Sequence, residues 1–343
     1  MPSGRAFLLN MIFDISIRPM RLVSWVSPNK RSRTVLILNA LSVAGLARED
    51  YFADNGIDAV FRDIGEIAIK VETGAVSIYE TVRNQDIADF GIVQAVSYPP
   101  PTATLLNTIA AYLDHYRVQA INLAGIGAPT KLLHYVQIAQ AGLRVPKARY
   151  LPVPLMRDTY PALADQLGVP FVLKQLRGGK PDVLIASSSD LKGRLGDVNE
   201  RRDAFLVQEF IPGNKKLRVF VFGGVAAVAI LRDSLGGIAG NQFSDNVMIA
   251  EPGGIDPAAR NLAIRAARVT GCDVASIDLV QHWATSQWYV LQVRPNPPIS
   301  TGPYIEEKMQ AYSGFLQRRT RSSGSILQRA LNVRLRDYQQ TGS

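Results

Sequence analysis

Phe205-Leu206-Val207-Gln208-Glu209-Phe210-Ile211, then Leu217-Arg218-Val219-Phe220-Val221-Phe222-Gly223, then Ala226 to Arg232, is the stretch that decides the architecture. Its three runs, rich in β-branched and aromatic residues, predict consecutive strands. Downstream, Pro257 to Gly271 reads as a helix with Asp256 as N-cap, and Val274 to Val280 and Trp288 to Val293 read as two final strands. Upstream, a second unit runs helix Pro129 to Ala141, strand Ala148 to Leu151, helix Met156 to Leu167, strand Phe171 to Leu176, a Gly-rich turn and strand Val183 to Ala186. Before that, β-rich runs (Thr34 to Asn39, Ile57 to Arg62, Phe90 to Val96, Val118 to Leu123) alternate with helical stretches at Ala47 to Asn55 and Thr102 to Tyr116. A hairpin, Ile67 to Val71 and Ala75 to Tyr79, interrupts them. The fold class is therefore α/β (α+β), strand-rich toward the end.

The chain has 343 residues, 47% hydrophobic and 20% charged, so it is neither disordered nor fibrous and divides into two or three domains. Apolar stretches such as Phe7 to Phe13, cut off by Asp14, stop far short of the roughly 18 residues of a membrane span. A soluble, cytoplasmic protein without a membrane partner is expected. A single cysteine, Cys272, excludes internal disulfides and multi-Cys metal sites, and His115, His134 and His282 show no metal-ligand spacing. The net charge of +9 sits at the two ends. Residues 1 to 34 carry six basic residues against Asp14, and residues 314 to 343 carry six against Asp337, leaving the middle near neutral. Such ends either are simply solvated or meet an acidic partner, nucleic acid or another polyanion.

Several residues in this pattern carry chemistry. Lys131, in the first turn of its helix after Gly125-Ile126-Gly127-Ala128-Pro129-Thr130, either bends into solvent or meets an anion that offsets the helix dipole. The segment matches neither a Walker loop nor the dinucleotide fingerprint. Lys174 shares a strand face with Val172 and Leu176, so it is at an edge or paired with an anion. Gly178-Gly179-Lys180 is either a plain turn or a loop whose amides cover phosphate oxygens. Asp278 and Gln292 lie at equal offsets from a turn centred on Thr285, which sets them opposite one another, to share a hydrogen bond or a hard cation.

In this order the pieces resemble the ATP-grasp superfamily, and within it the RimK-like carboxylate–amine ligases, over about Val35 to Tyr312. The resemblance implies an ATP-grasp fold behind an N-terminal Rossmann-like pre-ATP-grasp domain. Its divisions are a basic segment at 1–33, the pre-ATP-grasp domain at 34–126, a central lid subdomain at 127–204, a C-terminal subdomain at 205–312 and a basic tail at 313–343. It implies ATP and Mg²⁺ as cofactors. Lys131, Lys174, Gly178 and Gly179 would hold the phosphates, and the segment Gln208, Glu209, Phe210 and Ile211 the adenine. Arg218, Arg232 and Asn241 would serve the transferring phosphoryl group, and Asp278, Gln292 and Asn296 the metal.

The implied function is an ATP-dependent ligase that activates a carboxylate, from an amino acid or peptide, as an acyl phosphate. An amine acceptor then displaces phosphate, ADP having been released. The chain departs from the family at Gln292, where the family has glutamate, at Arg294, where it has asparagine, and at Lys216, where it has an acidic residue. A neutral amide is a weaker Mg²⁺ ligand than a carboxylate. These changes support the alternative: a catalytically weak ATP-grasp nucleotide-binding protein acting as a regulatory or scaffold module, on a nucleic-acid partner reached through its basic ends. Homo-oligomerisation is left open.

Overall fold

The computed structural model describes residues 34–38, 49–95, 103–123, 131–156, 158–176, 182–196, 204–213, 215–233, 247–250, 254–295 and 297–321. β1 (Val35–Leu38) is four apolar residues, all buried. A run without alternation belongs to a strand covered on both faces. After it come α1 (Glu49–Asp54), β2 (Ala59–Arg62), β3 (Ile67–Glu72), β4 (Ala75–Glu80), β5 (Gln85–Asp86), β6 (Ile92–Ala95), α2 (Ala103–His115) and β7 (Gln119–Ile121). Strands β2-β1-β6-β7 form a parallel sheet in that order, the α/β layer expected from the alternation. Leu36 and Leu38 pack with Leu106, Ile109 and Leu113 of α2. Val35 and Ile37 pack on the opposite side. The β3–β4 hairpin turns at Gly74, whose φ of 80° is open to glycine without steric penalty.

The middle of the chain holds α3 (Lys131–Gln140), β8 (Ala148–Leu151), α4 (Val153–Met156), α5 (Tyr160–Leu167), β9 (Phe171–Gln175), β10 (Val183–Ile185), α6 (Ser188–Gly196) and β11 (Phe205–Glu209). The one helix expected over Met156 to Leu167 is two. Pro161 lacks an N–H and fits only the first turn, so a new helix starts there behind Thr159. Helix α6 has no counterpart in the sequence reading. Its signal is Ser187 and Asp190 capping one another's backbone, with Leu191 and Leu195 buried one turn apart.

β11 pairs with both β8 and β9 in an antiparallel sheet of order β10-β9-β11-β8. The division expected before Phe205 therefore falls one strand early. Backbone pairing assigns β11 to the central sheet, and the described residues 210–213 lead from it toward the next sheet.

β12 (Lys215–Phe222), β13 (Val225–Asp233), β14 (Val247–Ala250), α7 (Pro257–Val269), β15 (Val274–Gln281) and β16 (Trp288–Pro295) complete the strand-rich part. The sheet is antiparallel, in the order β14-β13-β12-β15-β16. Asp256 caps α7 as expected, accepting from Ala258 N at 2.7 Å, and its other oxygen accepts from Trp288 Nε1 at 2.9 Å. Ala259, Ala263, Ala266 and Ala267 let α7 lie close against Val219, Val221, Ala275 and Ile277. Phe220, Phe222 and Val274 face the other way, onto Val35, Ile37 and a helix over residues 305–321, named α8.

Helix α8 corrects the expected basic tail from 313. Phe315 and Leu316 are buried, Gln317 Nε2 donates to Asn55 O at 2.6 Å and Arg319 pairs with Asp273 at 2.5 Å. Burying a Phe and a Leu stabilises by several kcal/mol, more than an exposed basic segment could gain by staying in water. Residues 313–321 thus belong to the folded body. Among the described residues no helix is long and apolar enough to cross a membrane.

One buried side chain ties the parallel sheet to the five-stranded one. Asn122, at φ 57°, donates from Nδ2 to Val274 O at 2.6 Å and accepts from Val274 N at 3.0 Å. Asn122→Ala leaves both backbone groups of Val274 unpaired in the interior and should lower unfolding free energy by about 2–4 kcal/mol. Urea titration checks this; a loss below about 1 kcal/mol would mean that water replaces the side chain.

Candidate active site

Asp278 of β15 faces Gln292 of β16 across the ladder, the pairing that equal hairpin offsets predict. Its other neighbour in register is Arg218 of β12. Arg218 grips it with two bonds, Nε to Oδ1 at 2.6 Å and Nη2 to Oδ2 at 3.1 Å. Arg294, two residues beyond Gln292, adds Nε to Oδ2 at 3.1 Å. The side chains of Arg218 and Asp278 are 19% and 18% exposed. Burial pushes the Asp278 carboxyl up, but the two guanidinium groups outweigh it and hold the group below the usual carboxylate value. Burial likewise works against the charge of Arg218, and Asp278 more than restores it.

Lys174 resolves to the paired alternative. β9 lies between β10 and β11, so it is not an edge strand, and Lys174 is only 6% exposed. Its Nζ donates to Leu291 O at 3.2 Å and stands 3.6 Å from Asp182 Oδ2. Leu291 is the extra residue of a bulge where the β15–β16 register slips, which turns its carbonyl out of the ladder. Burial lowers the Lys174 pKa; Asp182 and Asp278 oppose the shift, and Lys131 adds to it. Asp182 was not foreseen. Its signal is the same offset arithmetic, since Val183 pairs with Leu173 and one step further sets Asp182 opposite Lys174.

Lys131 reaches Gln175 O at 3.0 Å, and burial lowers its pKa, with Arg294 adding to the effect and Asp182 opposing it. Lys131 and Lys174 line one cleft with His134, Leu206 and Gln292, between α3, β9, β11 and β16. His134, 2% exposed and also unforeseen, keeps its Nε2 without a hydrogen-bond partner. Burial lowers its pKa, so the ring is neutral at pH 7.

Gln208 is buried, its Nε2 donating to the Tyr135 hydroxyl at 3.0 Å, while that hydroxyl donates to Pro146 O. The amide thus ties β11 to α3. Glu209 N is bonded to Lys147 O at 2.8 Å and Glu209 Oε2 accepts from Lys147 N at 2.9 Å. Phe210 and Ile211 follow the last ladder residue, at the crossing between the two sheets. Gly178, Gly179, Asn241 and Asn296 lie outside the described residues, as do Gly125 to Thr130. Arg232 is in register with Lys216 and Val247, and its side chain lies outside them too.

The donors around Asp278 do not fit a magnesium ion held by the protein alone. Mg²⁺ wants a full shell of hard oxygen ligands, carboxylates foremost. Here one carboxylate is engaged by two guanidinium groups, its facing partner is a neutral amide, and Arg294 stands as a cation beside it. Among the described residues no three His, Cys, Asp or Glu side chains form a metal cluster.

A parallel sheet followed by an antiparallel four-stranded and an antiparallel five-stranded sheet, with a lysine-lined cleft between the last two, defines an ATP-grasp fold. A profile of the RimK-like ATP-grasp domain matches residues 129–307, and the chain belongs to that family. A probable alpha-L-glutamate ligase of Parasynechococcus marenigrum is 33% identical over 158 residues, 44% of this chain and 33% of the relative. Another, of Desulfotalea psychrophila, is 24% identical over 254 residues, 72% of this chain and 53% of the relative. The chain thus spans between a third and about half of their length.

Among solved structures, the ATP-grasp ligase PsnB complexed with a minimal precursor superposes with a TM-score of 0.63 at 16% identity, covering 84% of this chain and 99% of that one. PsnB has also been solved with Mg and ADP. D-alanine–D-alanine ligase from Bacillus anthracis, complexed with ATP, gives 0.59 at 14%, covering 87% and 100%. These likenesses establish the fold.

The charge pattern makes one test direct. If Lys174 meets a phosphate, Lys174→Ala should weaken ATP binding at least tenfold, about 1.4 kcal/mol. Its pKa is lowered by burial, so affinity should fall as pH rises through a value below the usual lysine range, because the neutral amine no longer attracts phosphate. Calorimetry across pH checks both; unchanged affinity in the variant would remove Lys174 from the site.

Proposed function

We propose that the protein is an ATP-dependent carboxylate–amine ligase that forms an amide or peptide-like bond through an acyl phosphate, releasing ADP and phosphate. The observation that carries this reading is the charge balance of the cleft. Among the described residues, Lys131 and Lys174 in the cleft with Arg218 and Arg294 beside it outnumber Asp182 and Asp278 two to one, on strands and a helix that hold the cations in place. Such an excess needs an anion of more than one charge, and a nucleotide polyphosphate supplies it.

In this reading the main chain at Glu209 to Ile211 receives adenine, and Lys131 and Lys174 receive the phosphates. The Asp182 carboxylate gives up its place beside Lys174 to a phosphate oxygen. Arg218 meets the phosphoryl group as it moves to the substrate carboxylate, and the resemblance assigns Arg232 and Asn241 the same task. The carboxylate oxygen attacks the γ-phosphorus, ADP leaves, the amine attacks the acyl carbon, and phosphate carries away the bonding electrons. Positioning and charge neutralisation do most of the work in such transfers. ATP is the cosubstrate, with Mg²⁺ as the counter-ion its phosphates carry in solution. The carboxylate and the acceptor are amino acids or peptides, and L-glutamate is the first to test, given the relatives' names.

A second reading, a nucleotide-binding module with little catalysis, draws support from the Arg294–Asp278 pair. One assay separates them. Purified protein with ATP, Mg²⁺, L-glutamate and pools of amino acids and peptides should release ADP, not AMP, in an acceptor-dependent manner, and Arg218→Met should abolish release. ATP binding without ADP release from any pool would reject the ligase and leave the binding module.

A further inference from the structure

Arg294 contributes to that charge excess, but the steps of the ligase reading assign it no contact of its own. It lies on β16 opposite Ser276, two ladder positions from the Asp278–Gln292 pair and on the same face of the sheet. Its Nε is engaged by Asp278 at 3.1 Å, while its side chain is 46% exposed, so the guanidinium is anchored at one edge and open at the other. The arm is held where a cation beside Asp278 would stand. A dication placed on Asp278 would have both Arg218 and Arg294 as close neighbours of like charge, with no second carboxylate to offset them. An anion placed there would meet the open edge of a planar donor fork, the geometry that binds phosphate through two parallel bonds.

We propose that Arg294 is a built-in counter-charge for the nucleotide polyphosphate, so that this protein binds ATP without needing a divalent cation. The inference rests on the reading of the cleft as a nucleotide site. It also accounts for Gln292: with a guanidinium already beside Asp278, a second carboxylate at the facing position would compete with the phosphate for it. Arg294 exerts its charge on Lys131 as well, so the two cations share one field over the cleft.

The test uses the full chain and calorimetric titration with ATP in two buffers, one with Mg²⁺ and one with EDTA. The expected result is binding in both, with dissociation constants within about threefold. Arg294→Gln should weaken binding in EDTA at least tenfold, about 1.4 kcal/mol, and Arg294→Lys should recover part of it. Because Arg294 is nearly half exposed, the variants should keep the wild-type melting temperature, which circular dichroism verifies. The double variant Gln292→Glu, Arg294→Asn, which swaps the fixed cation for a second carboxylate, should bind ATP only with Mg²⁺. Wild-type binding that requires Mg²⁺ would overturn the proposal while leaving the nucleotide site in place, as would an EDTA affinity unchanged by Arg294→Gln. No binding in either buffer would overturn the nucleotide reading and this inference together.

Discussion

A single carboxylate in the interior of a sheet constrains this molecule more than any other feature. Asp278 sits in a strand whose other residues are almost all buried, and an ionised carboxylate there survives only if its charge is met. Arg218 and Arg294 meet it from the two flanking strands, so the order β12-β15-β16 is also the order of charges, plus, minus, plus. Removing either neighbouring strand would leave Asp278 with one of its two guanidinium partners. The site is in this sense part of the sheet's own electrostatics.

The sheet is covered on both faces, and that sets where polar chemistry can sit. Alternate residues of β12 and β15 are taken up by α7 on one side and by the parallel sheet and α8 on the other. Phe220 and Ser276 pair two rows from Arg218 and Asp278, on the same face, so the polar pair begins where the apolar packing of Phe220 ends. A four-stranded sheet brings Lys174 and Asp182 to the same place from the opposite direction. The Leu291 bulge is the joint: its carbonyl binds the Lys174 ammonium, coupling the two sheets at the cleft through one hydrogen bond.

Membership in the RimK-like ATP-grasp family and departure from its pattern coexist here without contradiction. The elements that position the site are backbone devices, namely sheet order, register, a bulge and a helix start, and they tolerate changes of side chain. Gln292 and Arg294 set the charge presented on that scaffold: a neutral amide faces Asp278 and a guanidinium stands beside it.

Local pattern determined much of this in advance. The alternating β-rich and helical runs called for an α/β layer, Asp256 for a helix start, and the equal offsets of Asp278 and Gln292 for a facing pair; each depends on residues close in sequence. Lys174 was legible as a lysine in need of an anion, because burial of an unpaired ammonium is costly whatever surrounds it. Tertiary structure alone decided which groups answer those needs. Arg218 and Asp278 are separated by 60 positions, Asn122 and Val274 by 152, Lys174 and Leu291 by 117. No periodicity links such pairs; they meet because strand order brings them together and because buried polar groups must find partners. The same reason moved β11 into the central sheet and α8 into the body: backbone pairing and apolar burial act on the whole chain, and a reading of neighbouring residues sees neither.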